Sequence, residues 1–417
     1  MVYKIATILS EVHRMDELKY NLDQSLAELD KLVGLSAKET DKTACETLAE
    51  KARIIYEQYP ESEDIALRYA GILVNLSTKQ IELEELETTA EKLENLQQKF
   101  QESHDIALSH ARILFNLSNK QTKLKELETT AEKLENLQQK FPESHDIVEA
   151  LARILFNLSI KQTELKEIEA TAEKLEKLQQ KFPESHDIAL QYAQILVNLS
   201  TKQIELKERE ATVEKVQSLQ QQFPESHDIA LYHAMILFNL STKQTELKEL
   251  ETTAKKLEKL KQKFPESPDI ALPYARILVN LSTKQTKLKE LETTAEKLRV
   301  LQQNFQKSHD IALQYAMILV NLSTKQTKLK ELETTAEKLR VLQQNFQKSH
   351  DIALQYAMIL VNLSTKQTKL KELETTAEKL RVLQQNFQKS HDIALQYAMI
   401  LVNLSTKQTK LKELETT

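Results

Sequence analysis

Glycine occurs only twice in this chain, at Gly34 and Gly71, cysteine once, and tryptophan not at all. Each scarcity removes a class of function. Two isolated glycines cannot build a glycine-rich phosphate-binding loop, which excludes the usual nucleotide enzymes, and no cofactor is expected. A lone Cys45 cannot close an internal disulfide, in keeping with a reducing compartment, and its expected role is packing rather than reaction. Charge of either sign is not in excess: 57 basic against 62 acidic side chains leave a net charge of -5, so nothing draws the chain to nucleic acid or to an anionic membrane. At the N-terminus an apolar stretch of about six residues before Glu11 falls short of a signal peptide and far short of a membrane span. The expected location is cytoplasmic.

What the sequence does contain is Leu, Glu, Lys, Ala and Gln, the residues that lose least on entering a helix, arranged in a repeat. An aromatic recurs at Tyr59, Phe100, Phe141, Phe182, Phe223, Phe264, Phe305, Phe346 and Phe387, always 41 residues apart. Units starting at Phe305 and Phe346 are identical, and the unit from Phe387 repeats them up to Thr417. Residues 49–59 mirror 131–141, so a half-unit over 39–58 precedes the first full one, and residues 1–38 read as a helical N-terminal cap. The remainder, 39–417, is a repeat array. A chain of this length built from one recurring unit grows by stacking rather than around a single core.

Within a unit, Pro-Glu-Ser-His-Asp-Ile marks a helix start: Ser144 is an N-cap and Asp146 lies in the first turn, where the helix dipole favours a negative charge. Pro268 replaces the histidine in one unit, and proline is favoured at the first helical position, so the histidine place is that position. From Ile311 to Leu322 apolar residues cover about 220° of a helical wheel, the signature of a helix buried on two sides. Ser323-Thr324-Lys325-Gln326 has the spacing of a capping box for a second helix, whose apolar arc from Leu329 to Phe346 is about 140° wide, that of an outer helix. A long coiled coil is rejected because 41 is not a multiple of seven and because Pro60, Pro142, Pro183, Pro224 and Pro265 interrupt any continuous helix. The fold class is all-α, an α-solenoid of stacked antiparallel helical hairpins.

Small residues inside the first helix, such as Ala70, Gly71, Ala111 and Ala316, and the aromatic-Pro-Glu-Ser stop after the second resemble the tetratricopeptide repeat superfamily over residues 40–417. The unit departs from the family's usual 34 residues by about two helical turns, one per helix, which keeps both apolar faces in phase. The resemblance implies a right-handed superhelix whose first helices line a concave groove that grips a peptide or protein segment, and a scaffold rather than an enzyme.

On the first helix, Asp105, Ser109, Arg112 and Asn116 follow one polar strip at spacings of four, three and four. The Asp and Asn places stay constant between units and the other two vary, as on a recognition surface; drift at exposed sites leaves the same pattern. The candidate partner-binding strip comprises Arg68, Asn75, Ser109, Arg112, Asn116, Arg153, Asn157, Gln191, Gln194, Asn198, Tyr232, Met235, Asn239, Arg276 and Asn280. Arg112, Asn116, Arg153 and Asn157 resemble the carboxylate clamps of some tetratricopeptide domains, though without their lysines, and solvated arginines with structural asparagines explain the same letters. Late units carry Gln314 with Met317, Gln355 with Met358 and Gln396 with Met399, an adaptable apolar strip or partly buried packing. Charge drifts as well: residues 59–99 hold four basic and nine acidic side chains, residues 305–345 six and four. Such a gradient can orient a partner or promote head-to-tail association, and a solvated face needs neither.

Other patterns are set aside. Consecutive Ser144-His145-Asp146 cannot converge as a hydrolase triad. The recurring histidine, with His110 and His233, completes no metal-binding spacing. Nine Asn-Leu-Ser triplets match a glycosylation acceptor pattern but lie in helices of a chain with no secretion signal. An RNA-binding helical repeat stays open as a minor alternative, since such arrays also read their ligand with a few residues per hairpin, although it would want a basic strip and this one is mixed. The expected function is a non-catalytic scaffold for a protein or peptide, with a self-assembling stack through the C-terminal unit as the alternative. Two local expectations follow. Pro273, near the sixth position of its helix, should kink it or delay its start, and the second helix of the last unit, about ten residues long, should fray or find a partner.

Overall fold

The computed structural model describes residues 21–416, and its chain divides into two compact units, Met1–Lys202 and Gln203–Thr417. No strand occurs among the described residues. In the first unit a helix over residues 21–38 (α1) and α2 (Lys42–Gln58) lead into first helices α3 (Glu63–Ser77), α5 (His104–Ser118), α7 (His145–Lys161) and α9 (His186–Lys202), with second helices α4 (Leu83–Lys99), α6 (Leu124–Lys140) and α8 (Leu165–Lys181) between them. The second unit repeats the alternation: second helices α10 (Leu206–Gln222), α12 (Leu247–Lys263), α14 (Leu288–Asn304), α16 (Leu329–Asn345) and α18 (Leu370–Asn386), first helices α11 (His227–Ser241), α13 (Pro268–Lys284), α15 (His309–Lys325), α17 (His350–Lys366) and α19 (His391–Thr416). Each unit is therefore a stack of helical hairpins with a 41-residue step.

Helix starts follow the expected chemistry. Ser62, Ser226, Ser267, Ser308 and Ser349 are N-caps whose hydroxyls accept the amide of the isoleucine three residues on, satisfying a backbone donor that has no partner within the helix. Histidine takes the first helical position, and Pro268 takes it in α13.

First helices carry the core. Ile106, Ala107, Ala111, Ile113 and Leu114 are fully buried, and the alanines let neighbouring first helices approach. Within each unit a first helix packs on the first helices before and after it, whereas neighbouring second helices do not pack on one another among the described residues. A second helix packs more extensively on the first helix that follows it than on the one that precedes it. Its own buried residues, such as Leu127, Ala131 and Leu134, form the narrower apolar stripe expected of an outer layer. Arg209 stands in that stripe where other units have leucine or isoleucine; it is buried, its Nε donates to the Gln203 carbonyl, and its guanidinium donates to the Asn239 carbonyl near the end of α11.

Two local expectations need correction, and of the kink or late start expected at Pro273, the late start does. Ser323 and its equivalents do not cap the second helix. They lie in the last turn of the first helix, which runs on to Lys325, and Gln326 follows as its C-cap. The second helix starts at Leu329 without a side-chain cap. The turn is held instead by glutamine: the Gln326 side-chain carbonyl accepts from Thr335 Oγ1 at 2.9 Å, and Gln121, Gln162, Gln203, Gln244 and Gln285 do the same for Thr130, Thr171, Thr212, Thr253 and Thr294. Pro273 does not delay its helix, because α13 begins at Pro268, the same place as its neighbours, and carries Pro273 buried inside it. In the last unit no second helix folds back: α19 is one helix of 26 residues. Elsewhere a second helix is held mainly by the first helix after it, and continuing a helix adds one backbone hydrogen bond per residue.

Toward the N-terminus, α1 takes the place of a first helix before α2. Leu32-Val33-Gly34-Leu35-Ser36 occupies the place that Leu73-Val74-Asn75-Leu76-Ser77 holds one unit later, and Leu29 and Leu32 join Cys45, Ala49 and Ala52 in a shared core. Cys45 is buried there as a small apolar residue, and burial pushes its thiol up. Residues 1–20 of the expected cap lie outside the described residues.

Candidate functional site

The candidate strip resolves into a fixed edge and a variable centre. The fixed edge is asparagine. Asn75 Nδ2 donates to Ser36 Oγ at 2.9 Å, Asn116 to Ser77 at 2.8 Å, Asn157 to Ser118 at 3.1 Å, Asn198 to Ser159 at 3.1 Å and Asn280 to Ser241 at 3.4 Å, and the rungs continue at Asn321, Asn362 and Asn403. Each serine also donates to a carbonyl three residues back, as Ser77 does to Val74 at 2.7 Å. One Asn-Leu-Ser triplet thus donates to the repeat before it and accepts from the repeat after it. Asn239 is half-buried at the equivalent place, and its backbone carbonyl receives Arg209.

At the centre of the strip, four residues before each asparagine, stand Arg112, Arg153, Gln194, Met235 and Arg276. Arg112, Met235 and Arg276 are exposed, while Arg153 and Gln194 are partly so. Among the described residues Arg112 makes no hydrogen bond or ion pair. Arg153 is engaged: its guanidinium lies 5.6 Å from the Phe115 ring centre and 3.0 Å from Asp187 Oδ2. Arg276 lies 5.5 Å over Phe238, a favourable placement of cation on ring face. The remaining varied position is less exposed. Ser109 is buried and donates to its own Asp105 carbonyl at 2.9 Å; Gln191 and Tyr232 are half-buried. Arg68 belongs to this second set, with Nε 2.7 Å from Asp30 Oδ1 and Nη1 donating to the Asp64 carbonyl.

Of the four residues resembling a carboxylate clamp, Asn116, Arg153 and Asn157 are committed within the repeat array, leaving Arg112 as the uncommitted guanidinium. The strip also contains half-buried apolar residues that the polar pattern overlooks: Leu108, Phe115 and Phe156. Their signal is an alternation of Phe and Val directly before the constant asparagine, with arginine 38 residues after Phe115 and again after Phe238.

The recurring histidine joins repeats. His104 Nε2 lies 2.7 Å from Ser144 Oγ and its ring meets Phe141 edge-on at 5.7 Å; His227, His309 and His350 make both contacts with their own Ser and Phe partners. His145, Asp146 and Glu149 bring three ligand-type atoms within 4.8 Å. His145 Nδ1 lies 3.1 Å from Glu149, which also accepts from Ser185, and all three residues sit on one helix start. His110 and His233 differ in kind. Both take a place that is Tyr in most units, neither ring nitrogen has a partner, and burial holds both down to about 4 from the ordinary 6.5. At the same place, burial pushes the hydroxyls of Tyr69, Tyr315 and Tyr356 up to about 12.

No family model matches the chain, and no curated protein matches it. Solved structures do. The apo form of RapI superposes with a TM-score of 0.40 at 14% identity, covering 94% of this chain and 98% of that one. The Cut9–Hcn1 hetero-tetramer of APC/C gives 0.22 at 10% identity, with 86% and 87% covered. A computationally designed self-assembling cyclic homooligomer gives 0.09 at 13% identity, with 87% and 98% covered. None of these superpositions is close enough to transfer a site. Among the described residues no helix is long and apolar enough to cross a membrane.

Proposed function

We propose that the protein is a non-catalytic scaffold that holds a peptide or protein segment along the first-helix strip. One observation carries the reading. On every first helix from α5 to α17 the asparagine place is kept, while the residue four positions earlier changes between Arg, Gln and Met and stays at least partly exposed. Met235 at 37% exposure offers an apolar contact at the position that carries arginine in α13. Half-buried Leu108 and Phe115 beside Arg112 add the mixture of apolar anchor and charged donor found at interface hot spots.

Selection of binders from a random peptide display library against the full chain tests this. Peptides that bind should lose at least tenfold in affinity to Arg112→Glu or to Met235→Glu, with far-UV circular dichroism unchanged. Selected peptides indifferent to both would overturn the reading.

A second reading, self-association through the last first helix, is favoured by the exposure of Leu395 at 58%, Met399 at 45%, Leu401 at 42% and Val402 at 63%. Sedimentation across a hundredfold range of concentration distinguishes the two. Growth in mass that Leu395→Lys with Val402→Lys abolishes supports assembly, and a constant monomer removes it.

A further inference from the structure

Two first helices bury a ring that can take up a proton near neutral pH. His110 of α5 is 3% exposed and His233 of α11 is 5% exposed, and among the described residues neither Nδ1 nor Nε2 of either ring meets a hydrogen-bond partner. Tyr69, Tyr192, Tyr274, Tyr315 and Tyr356 hold the same place on α3, α9, α13, α15 and α17, and α7 has Leu151 there. A phenol stays neutral below about pH 10, whereas an imidazole charges below about 6.5 once water reaches it.

The surroundings give a proton on either ring little support. Helix α5 packs on α3, α4, α6 and α7. The charged groups that face His110 are Glu94 of α4 and Lys133 of α6, which already pair with each other at 2.7 Å. Within its own unit α11 packs on α10, α12 and α13, and the charged group that faces His233 is Lys256 of α12, which repels a second cation. Three repeats on from Glu94 the equivalent place of α10 is Gln217, so His233 lacks the carboxylate that His110 has nearby. A folded inner layer therefore resists protonation at both rings, and the charge becomes tolerable only where the helix lifts and water solvates it. Both helices also carry the strip: His110 lies two residues before Arg112, and His233 two before Met235.

We propose that α5 and α11 are acid-sensitive joints: on acidification the array opens first at these two helices, through proton uptake by His110 and His233, and the strip loses Arg112 and Met235 while distant repeats stay folded. In a stack whose repeats touch only their neighbours, such an opening remains local. What it does to a bound segment rests on the scaffold reading; the opening itself does not. With each ring at about 4 when buried and at the ordinary 6.5 when open, the open form gains about twentyfold between pH 7 and pH 5.

Hydrogen exchange of the full chain, followed by mass spectrometry at pH 7 and pH 5 and corrected for the intrinsic rate, tests this with no partner present, so its outcome is separate from that of the scaffold reading. Peptides from α5 and α11 should lose about twentyfold in protection. Peptides from α15 and α17, which have the helix-start histidine but tyrosine at the buried place, should lose less than about threefold. His110→Tyr with His233→Tyr should abolish the difference. Gln217→Glu, which supplies the carboxylate that His233 lacks, should reduce the loss at α11 and leave it at α5, and it carries the test should the tyrosine variant fail to fold. The proposal is overturned by equal loss in every first helix, by no loss at α5 and α11, by a loss that survives in the folded tyrosine variant, or by an α11 that opens as far in Gln217→Glu as in the wild type.

Discussion

First and second helices meet their neighbours by different means. A first helix is pressed between two others through fully buried Ile, Leu and Ala and is joined to each by an Asn–Ser rung. Among the described residues, the ion pairs between successive second helices are exposed Lys–Glu ties such as Lys174–Glu135, which contribute little in water. Continuity of the array therefore resides in the inner layer. The outer layer is free to exchange its ties without disturbing the stack.

The comparison breaks most visibly with pH. His110 and His233 sit in the inner layer with folded-state values near 4 against an ordinary 6.5. The unfolded chain takes up these protons first, so the stability they permit is present above about 6.5 and is lost as pH falls toward 4. Each histidine should cost about 2 kcal/mol by pH 5, with most of the loss confined to its own repeats. Urea unfolding at pH 7 and pH 5 checks this: His110→Tyr with His233→Tyr, the residue most other units carry, should remove most of the difference between the two midpoints, and an unchanged difference would refute it.

Pro273 is the next largest lever. It occupies the sixth position of α13, where it takes away a helical hydrogen bond, so Pro273→Gln should stabilise the second unit by up to about 3 kcal/mol, seen as a higher melting temperature. Removing one rung comes third. Asn157→Ala deletes the bonds to Ser118 and Asn119 and should cost about 1 kcal/mol. Smallest is an outer tie: Lys174→Ala should cost less than about 1 kcal/mol. A tie as costly as a rung would erase the distinction between the layers.

Much of this was legible in the residues because it depends on local chemistry. The 41-residue aromatic spacing, the serine caps, the histidine at the first helical position confirmed by Pro268, and the wide and narrow apolar arcs are properties of single helices. What was not legible depends on how helices are set against each other. The Asn–Ser rung joins residues 39 apart, and only the stacking offset brings them together. Ser323 and Gln326 satisfy the spacing of a capping box, yet the helix runs through the serine, and the glutamine finds Thr335 nine residues on. Gly34 in place of asparagine hid the likeness of residues 32–36 to residues 73–77. In α19 the same letters that turn in α15–α16 continue as helix, a choice made by packing rather than by local preference. As for the candidate strip, its membership could be read from the spacing, but not that the asparagines are spoken for while Arg112 is free.

Photo-crosslinking tests most directly whether the variable centre of the strip is where a partner lies. A benzophenone amino acid placed at Arg112, Met235 or Arg276, and as a control at outer-face Glu128, would be irradiated with a peptide selected against the full chain. The scaffold reading predicts crosslinks from strip positions and none from Glu128. Crosslinking from Glu128 with none from the strip would contradict it.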